Sequence, residues 1–327
     1  MEFSGILRLD NDWNPDAGGH LQENLRFQKF ELQATVHAAK DLPLHLGKEL
    51  LFVVRSRMEQ DLIVNGRYDP NHLQAVDYLK EAYFQFVDVN EAPINLTVGT
   101  TEVTYGQDYD GTISLQSDAN HAMSDPDRGQ VKGVTVSTRL PQGALIDQAE
   151  AGFFTSSGEF TRGGLAYFDG SSFRLTKIFG RSVTLEGSML HKENGYDHSL
   201  RPETDVSLGA IYHRDQWVLW SELFALKNSP VYPAANRGAT GGVSRITGPG
   251  RLTTNLVLIE HTLRQYALGY DLYLSPGWTV GPVVRYTDCA GGNMQCVAVR
   301  GYGEGMSYGI SARYILNGEN PVWLGKL

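Results

Sequence analysis

The chain has 327 residues, of which 41% are hydrophobic and 20% charged, and it includes 36 glycines, 16 tyrosines and two cysteines. Its 28 basic and 37 acidic side chains give a formal net charge of −9, which argues against a nucleic-acid binder that neutralises phosphates. No run of about 18 consecutive apolar residues is present, so the sequence predicts no transmembrane helix.

Apolar and polar residues alternate strictly in many segments along the chain. The pattern is clear near residues 30–38, 94–99, 206–213, 265–274 and 306–314. Such alternation gives a β-strand one apolar and one polar face. Helical periodicity is scarcely visible, and the sequence therefore predicts an all-β protein.

The connections between these segments predict the architecture. Short and long connections alternate along the chain. The short ones contain turn residues and fall near 41–47, 90–93, 141–143, 180–181, 214–215 and 275–277. The long ones are polar and fall at about 11–24, 60–74, 106–130, 156–162, 193–202, 228–251 and 288–304. Segregated loop lengths and strands of about ten residues are typical of a membrane barrel, whereas a soluble sandwich has shorter strands. We predict a transmembrane antiparallel up-and-down β-barrel of about 14 strands (12–16), with short periplasmic turns and long extracellular loops.

The barrel is predicted to occupy residues 1–316, followed by a periplasmic tail over 317–327. A soluble sandwich or a solenoid is the alternative, although no fixed-period repeat supports a solenoid. Aromatic residues near strand ends agree with interfacial girdles; they are Tyr83, Tyr105, Tyr212, Trp217, Trp278, Tyr286, Tyr308 and Tyr314. The first residues lack the basic and apolar segments of a signal peptide, which fits either a cytosolic protein or a mature protein from which the signal has been removed; the strand pattern favours the second.

If the apolar residues face lipid, the charged residues between them face the lumen. This set comprises Glu31, Arg55, Arg57, Glu81, Arg139, Arg174, Glu186, Glu222, Asp271, Arg285 and Arg313. Both signs of charge are present, which is compatible either with a water-filled pore carrying a transverse field or with a plugged interior of interlocking pairs. Both interpretations remain open.

The first third of the chain resembles a known family. The segments LRFQKFELQA (25–34), LLFVVR (50–55), YLKEAYFQF (78–86) and LTVGTTEVTYG (96–106) occur in an order that is similar to bacterial outer-membrane porins of the phosphate-selective-porin and alginate-exporter type. Two features depart from the family pattern: Thr100 stands where a basic residue is usual, and the chain continues as a polar tail beyond the last strand. The resemblance implies a channel whose long loop after this strand, residues 107–130, folds into the lumen.

That loop is acidic, with Asp108, Asp110, Asp118, Asp125 and Asp127 among glycines, serines and asparagines. Carboxylates at a pore constriction would favour cations, and clustered oxygen ligands could alternatively hold Ca²⁺. A solvated surface loop is the third interpretation. No other cofactor is predicted.

Cys289 and Cys296 flank a Gly-Gly-Asn stretch in the long loop before the last strand. In an oxidising compartment we expect them to form a disulfide, because two cysteines with no adjacent histidine supply too few ligands for zinc. His191, Asp197, His198 and Ser199 carry the residue types of an outer-membrane hydrolase, but no nucleophile motif is present.

We therefore predict an outer-membrane, non-enzymatic channel of a Gram-negative bacterium for small hydrophilic solutes. Oligosaccharides or acidic polysaccharide are the solutes implied by the resemblance, with membrane lipid and lipopolysaccharide as the surroundings. The alternatives are a narrow or plugged barrel whose loops bind a partner or ligand, and a barrel hydrolase.

Overall fold

The alternating segments form long antiparallel strands in a computed structural model of the chain. The structure describes residues 1–43, 46–64, 67–68, 81–103, 105, 130–141, 143–155, 161–162, 165–166, 168–193, 202–228, 235–275, 277–292, 294, 296 and 303–316. Within this part of the chain we find no helix that is long and apolar enough to cross a membrane.

Sixteen long strands make up the wall. They are β1 (Glu2–Pro15), β2 (Leu21–Lys40), β3 (Glu49–Val64), β4 (Glu81–Val87), β5 (Ile94–Glu102), β6 (Gln130–Arg139), β7 (Gln148–Thr155), β8 (Gly170–Phe179), β9 (Val183–Lys192), β10 (Glu203–Arg214), β11 (Trp217–Lys227), β12 (Arg237–Thr247), β13 (Gly250–Ile259), β14 (Leu263–Ser275), β15 (Trp278–Cys289) and β16 (Gly305–Leu316). A two-residue strand at Arg67–Tyr68 extends the β3 ladder, Thr161–Arg162 pairs with Leu165–Ala166, and a 3-10 turn at Val89–Glu91 joins β4 to β5.

Each strand pairs antiparallel with the next, and the last strand returns to the first. β16 pairs with β1 from Gly5↔Leu316 to Trp13↔Tyr308, which closes the sheet on itself. The all-β barrel class is confirmed, and sixteen strands are the upper limit of the predicted range. We call the end with the β2–β3 and β4–β5 turns the short-turn rim and the opposite end the long-loop rim.

Two predicted long connections are wrong because each contains strand. β1 continues to Pro15, so residues 16–20 are all that connect it to β2, whereas 11–24 was expected to be loop. The expected loop over 228–251 contains β12 and the hairpin turn that leads into β13. Both segments read as loops because one is rich in polar residues and the other in glycine, although those residue types fit an interior-facing wall.

One hairpin turn was also missed. β13 and β14 are joined at residues 260–262 on the long-loop rim, where His261 takes the left-handed backbone conformation with φ 53°. This turn contains no glycine or proline that would signal it. It is also short, although it lies on the rim where only long connections were expected. Strict alternation of long and short connections therefore does not hold.

The barrel is apolar outside and polar inside. Large hydrophobic side chains are exposed on the outward face, among them Phe84, Phe153, Leu208, Leu223 and Leu268. Outward aromatic residues lie near both ends of the wall: Tyr212, Trp217 and Trp278 near the short-turn rim, and Tyr266, Tyr286 and Tyr308 toward the long-loop rim. Two aromatic belts around an apolar band are typical of a membrane-spanning barrel. Tyr83 and Tyr105, expected in the belts, are instead half-buried and buried respectively.

Glycines in β12 make room for aromatic rings on the neighbouring strand. Gly238 is paired with Phe224 and Gly242 with Trp220, both on β11. A Cβ atom at either glycine would collide with the facing ring, and at Gly242 also with the carbonyl oxygen of Thr254. The rings therefore lie flat against the inner wall only because these side chains are absent.

We expect Gly242→Ala to lower the free energy of unfolding by about 1–2 kcal/mol, because one extra methyl group overpacks a site closed by a ring and a backbone carbonyl. Gly187→Ala in β9 is the matched control, since a Cβ there would have its nearest neighbour 4.0 Å away, at the carbonyl oxygen of Ser207. Urea titration of both variants in lipid vesicles measures the difference. Equal losses in the two variants would contradict the packing argument.

Candidate functional site: the barrel interior

A group of charged side chains lies inside the barrel where the wall closes. We call it the seam cluster; its members are Arg8, Asp10, Asp12, Arg251, Asp271, Arg285 and Arg313, contributed by β1 and β13–β16. All seven are buried, and the Asp10 and Asp271 side chains are 0% exposed. Four guanidinium groups thus face three carboxylates within a water-poor region, where charges require partners.

The seam cluster is held together by ion pairs and hydrogen bonds, both within β1 and between strands. Arg8 binds Asp10 through both Nε and Nη2, at 3.0 and 2.8 Å. Arg251 Nη2 lies 3.2 Å from Asp271 Oδ2. Arg285 Nη2 donates to Asn14 Oδ1 at 2.9 Å. This last bond joins β15 to β1 and so links the two ends of the chain.

Two further ion pairs lie on the inner wall away from the seam cluster, on β3–β4 and on β7–β8. Arg55 on β3 contacts Glu81 on β4 at 3.2 Å and also donates to Gln33 on β2. Arg174 on β8 contacts Glu150 on β7 at 2.6 Å. Three of these four side chains are more accessible than the seam cluster: Arg55 is 25% exposed, Arg174 17% and Glu150 14%, whereas Glu81 is 8% exposed. We call these two the accessible pairs.

An aromatic row separates the accessible pairs along the barrel. Pairing across the sheet places Tyr83 next to Gly99, and Phe154 between Gly133 and Gly170. A Cβ atom at any of these glycines would collide with Tyr83 or Phe154 atoms. Glu81 is two residues from Tyr83 toward the long-loop rim, and Glu150 is four residues from Phe154 toward the short-turn rim. The two pairs are therefore at different heights on the same wall.

Two apolar clusters lie inside the barrel near the long-loop rim. The first contains Phe224, Leu226, Ala235, Val257, Ile259, Leu263, Cys289 and Cys296. The second contains Tyr105, Val131, Phe154 and Leu190. The expected disulfide between Cys289 and Cys296 is confirmed, with a Cα–Cα distance of 5.5 Å. It ties residue 296 of the β15–β16 connection into the first cluster, over the inner face of β11–β15.

Carboxylates at the two rims are stabilised in their charged form. Asp147, before β7, accepts the backbone N–H of Ile178 at 2.6 Å and Lys177 Nζ at 3.0 Å, and these contacts lower its pKa. At the other rim Asp16 accepts the N–H of His20 at 2.9 Å and also binds Gln22 and Gly18, which likewise lower its pKa. Both carboxylates stabilise connections outside the wall.

The expected lumen residues fall into three groups. Arg285, Arg313 and Asp271 belong to the buried seam cluster, and Glu222 is buried on the inward face of β11. Arg55, Glu81 and Arg174 form the accessible pairs, Glu186 is half-buried on the inward face of β9, and Arg139 is exposed at the short-turn end of β6. The side chains of Glu31 and Arg57 lie outside the described part of the chain, as do Asp108, Asp110, Asp118, Asp125 and Asp127 and the tail over 317–327.

Several interior charges were missed from the sequence. Arg8, Asp10 and Asp12 follow the strict alternation of β1, with Leu7, Leu9 and Trp13 between them, but Asn11 interrupts the apolar face. Glu150 shares the inward face of β7 with Gln148 and Gly152 and alternates with Ala149 and Ala151, a pattern that would have identified it. Lys192 and Glu203 pair at 3.8 Å across β9 and β10, with both side chains almost fully buried. Arg251 fell within the misread loop over 228–251.

The described residues hold no group of three or more histidine, cysteine, aspartate or glutamate side chains that could bind a metal ion. The proposed Ca²⁺ loop over 107–130 lies almost wholly outside those residues.

Comparisons with known proteins agree with this architecture. No protein-family model matches the chain, and no curated protein matches it. A triple mutant of the porin from Rhodopseudomonas blastica is similar in structure, with a TM-score of 0.62 and 13% identity over 96% of this chain and 99% of that one. OmpF from Salmonella typhi, in complex with daunomycin, gives a TM-score of 0.64 and 12% identity over 96% and 97%. At such identities the likeness establishes a porin-like β-barrel fold.

Proposed function

We propose that this porin-like barrel is a passive channel in the outer membrane of a Gram-negative bacterium, through which small hydrophilic solutes diffuse. One observation carries the proposal: the wall is apolar and exposed on its outer face, while its inner face carries polar and charged side chains. Only a closed sheet satisfies its backbone hydrogen bonds in lipid, and only a polar interior hydrates a passing solute. The two aromatic belts support the same placement.

The finer points are also proposals. Tyr83, half-buried beside the accessible pairs, offers a ring face to a sugar, which supports oligosaccharide or acidic polysaccharide as the solute. The exposed apolar band supports contact with membrane lipid, including lipopolysaccharide. An inward loop at 107–130, narrowing the pore with aspartates or holding Ca²⁺, and a periplasmic tail at 317–327 complete the proposal, which includes no catalytic step.

A second candidate has its own support. The buried seam cluster and the apolar cluster around the disulfide fill part of the interior, as expected of a narrow or plugged barrel whose loops bind a partner. A barrel hydrolase has less support: His191 Nδ1 contacts Thr204 Oγ1 at 2.9 Å, and Asp197, His198 and Ser199 lie outside the described residues.

Planar-bilayer recording tests the channel. Folded protein, verified by heat-modifiable migration on a denaturing gel, is added from detergent in 1 M KCl, and we expect stepwise, ohmic conductance. The heat-denatured sample is the control. Silence of folded, inserted protein at all salts and voltages would overturn the channel and favour the plugged barrel.

A further inference from the structure

The inner wall differs in accessibility from one side to the other. From β9 through β16 to β1, inward residues are mostly buried, with Asp10, Thr253, Asp271, Thr287 and Ser311 all at 0% exposure. From β2 to β8, many inward polar residues are half-buried, among them Gln33, Gln85, Thr97, Thr135 and Ser137. The space that water reaches inside the barrel therefore borders β2–β8.

The two sides also differ in the state of their charges. In the seam cluster, Arg8 and Asp10 form a bidentate pair, and the Arg251 and Arg285 side chains are 7% and 3% exposed. Each of these charges lies next to an opposite charge or a polar partner and is shielded from water. In the accessible pairs, a guanidinium and a carboxylate lie side by side; both members of the Arg174–Glu150 pair face water in part, and in the other pair Arg55 does so while Glu81 is buried.

We propose that the solute path is eccentric: it follows β2–β8 and passes the Arg55–Glu81 and Glu150–Arg174 pairs in turn, whereas the seam cluster takes no part in permeation. This inference rests on the proposed channel function and adds the residues that set its ion selectivity. The aromatic row of Tyr83 and Phe154 lies between the two pairs, so an ion meets them at separate heights.

Replacing one charged member of an accessible pair by a neutral residue changes the net charge beside the path by one unit. A unit charge a few ångströms from an ion in water changes its local concentration by about two- to fourfold at moderate salt. Glu150→Gln removes the carboxylate 2.6 Å from Arg174, makes the local charge more positive by one unit and favours anions. Arg174→Gln removes the guanidinium beside Glu150, makes the local charge more negative by one unit and favours cations. The two variants therefore shift selectivity in opposite directions.

Reversal potentials across a KCl gradient measure this effect. We expect the ratio of cation to anion permeability to fall about two- to fourfold in Glu150→Gln and to rise by a similar factor in Arg174→Gln. Asp271→Asn and Arg313→Gln remove the same charges from the seam cluster and are the matched controls, expected to leave the ratio unchanged in single channels. Shifts in the controls equal to those in the accessible pair would overturn the eccentric path.

Thiol labelling gives a readout that needs no current. Ser137→Cys lies beside Glu150 on the accessible wall, and Ser311→Cys lies in the 0% exposed region. A charged, membrane-impermeant thiol reagent is expected to label the first rapidly and the second slowly in folded barrels. Faster labelling of Ser311→Cys would refute the inference. If the wild-type protein shows no conductance but Ser137→Cys is labelled rapidly, only the channel function is refuted, because the aqueous space would still follow β2–β8.

Discussion

Replacing Asp271 by asparagine is expected to lower the free energy of unfolding by about 3–5 kcal/mol, because it removes one partner of a buried ion pair. The Asp271 side chain is fully buried, and Arg251, whose guanidinium lies 3.2 Å away, is 7% exposed. In the variant the arginine loses this carboxylate while its charge stays out of water. Urea titration in lipid vesicles, or the temperature at which heat-modifiable migration is lost, measures the change.

Asp288→Asn is the matched control on the next strand. Its partner, Arg264, is 4.0 Å away, and the two side chains are 41% and 69% exposed, so we expect a loss of at most about 0.5 kcal/mol. An apolar double replacement, Arg251→Met with Asp271→Leu, is expected to recover much of the stability, since both charges of this buried pair are then removed together. Similar losses in Asp271→Asn and Asp288→Asn would show that burial at the seam does not control stability.

Removing the disulfide is expected to cost about 2–3 kcal/mol. The bond joins residues seven apart in sequence, and a loop of that size restricts the unfolded chain by about this amount. Cys289 and Cys296 are 5% and 0% exposed within the apolar cluster, so alanine is the replacement that adds no polar group there. Urea titration of the Cys289→Ala, Cys296→Ala double variant measures the loss.

Reduction of the wild-type protein is the matching chemical test. Because both sulfurs are buried, we expect the folded barrel to resist dithiothreitol, and the reduced protein, once unfolded, to refold with the stability of the double variant. Rapid reduction of the folded barrel would mean that the cluster does not shield the bond. Unchanged stability after reduction would mean that the bond does not restrain the unfolded chain.

Alternation was sufficient to predict the barrel but not its full strand number. Where every second residue is apolar, as around Tyr266 and Leu268, the strand was evident. β12 was hidden because Gly238 and Gly242 replace side chains with space for rings from β11, and this reason exists only in the folded sheet. The β13–β14 turn was hidden because His261 takes a conformation usually signalled by glycine.

The interior could be predicted in part. The alternation of apolar and polar residues along the strands identified Arg285, Arg313 and Asp271 as interior candidates, and in the structure they lie buried on the inward face. Their partners could not be predicted, because pairing depends on register between strands that are remote in sequence. The contact between Arg285 and Asn14 spans 271 positions, and no local pattern encodes it. The difference between a buried and a water-accessible wall depends likewise on the whole barrel.

That contact also has a consequence for how the barrel is assembled. Asn14 and its neighbours on β1 are among the first residues of the chain, yet their partners on β15 and β16 are among the last. Until those strands arrive, Asn14 lacks the guanidinium of Arg285, and the inward polar side chains of β1 stay hydrated only if the first strand remains in contact with water. Completion of the wall is thus coupled to the withdrawal of β1 from water, and a chain lacking its last strand would be left open at the join.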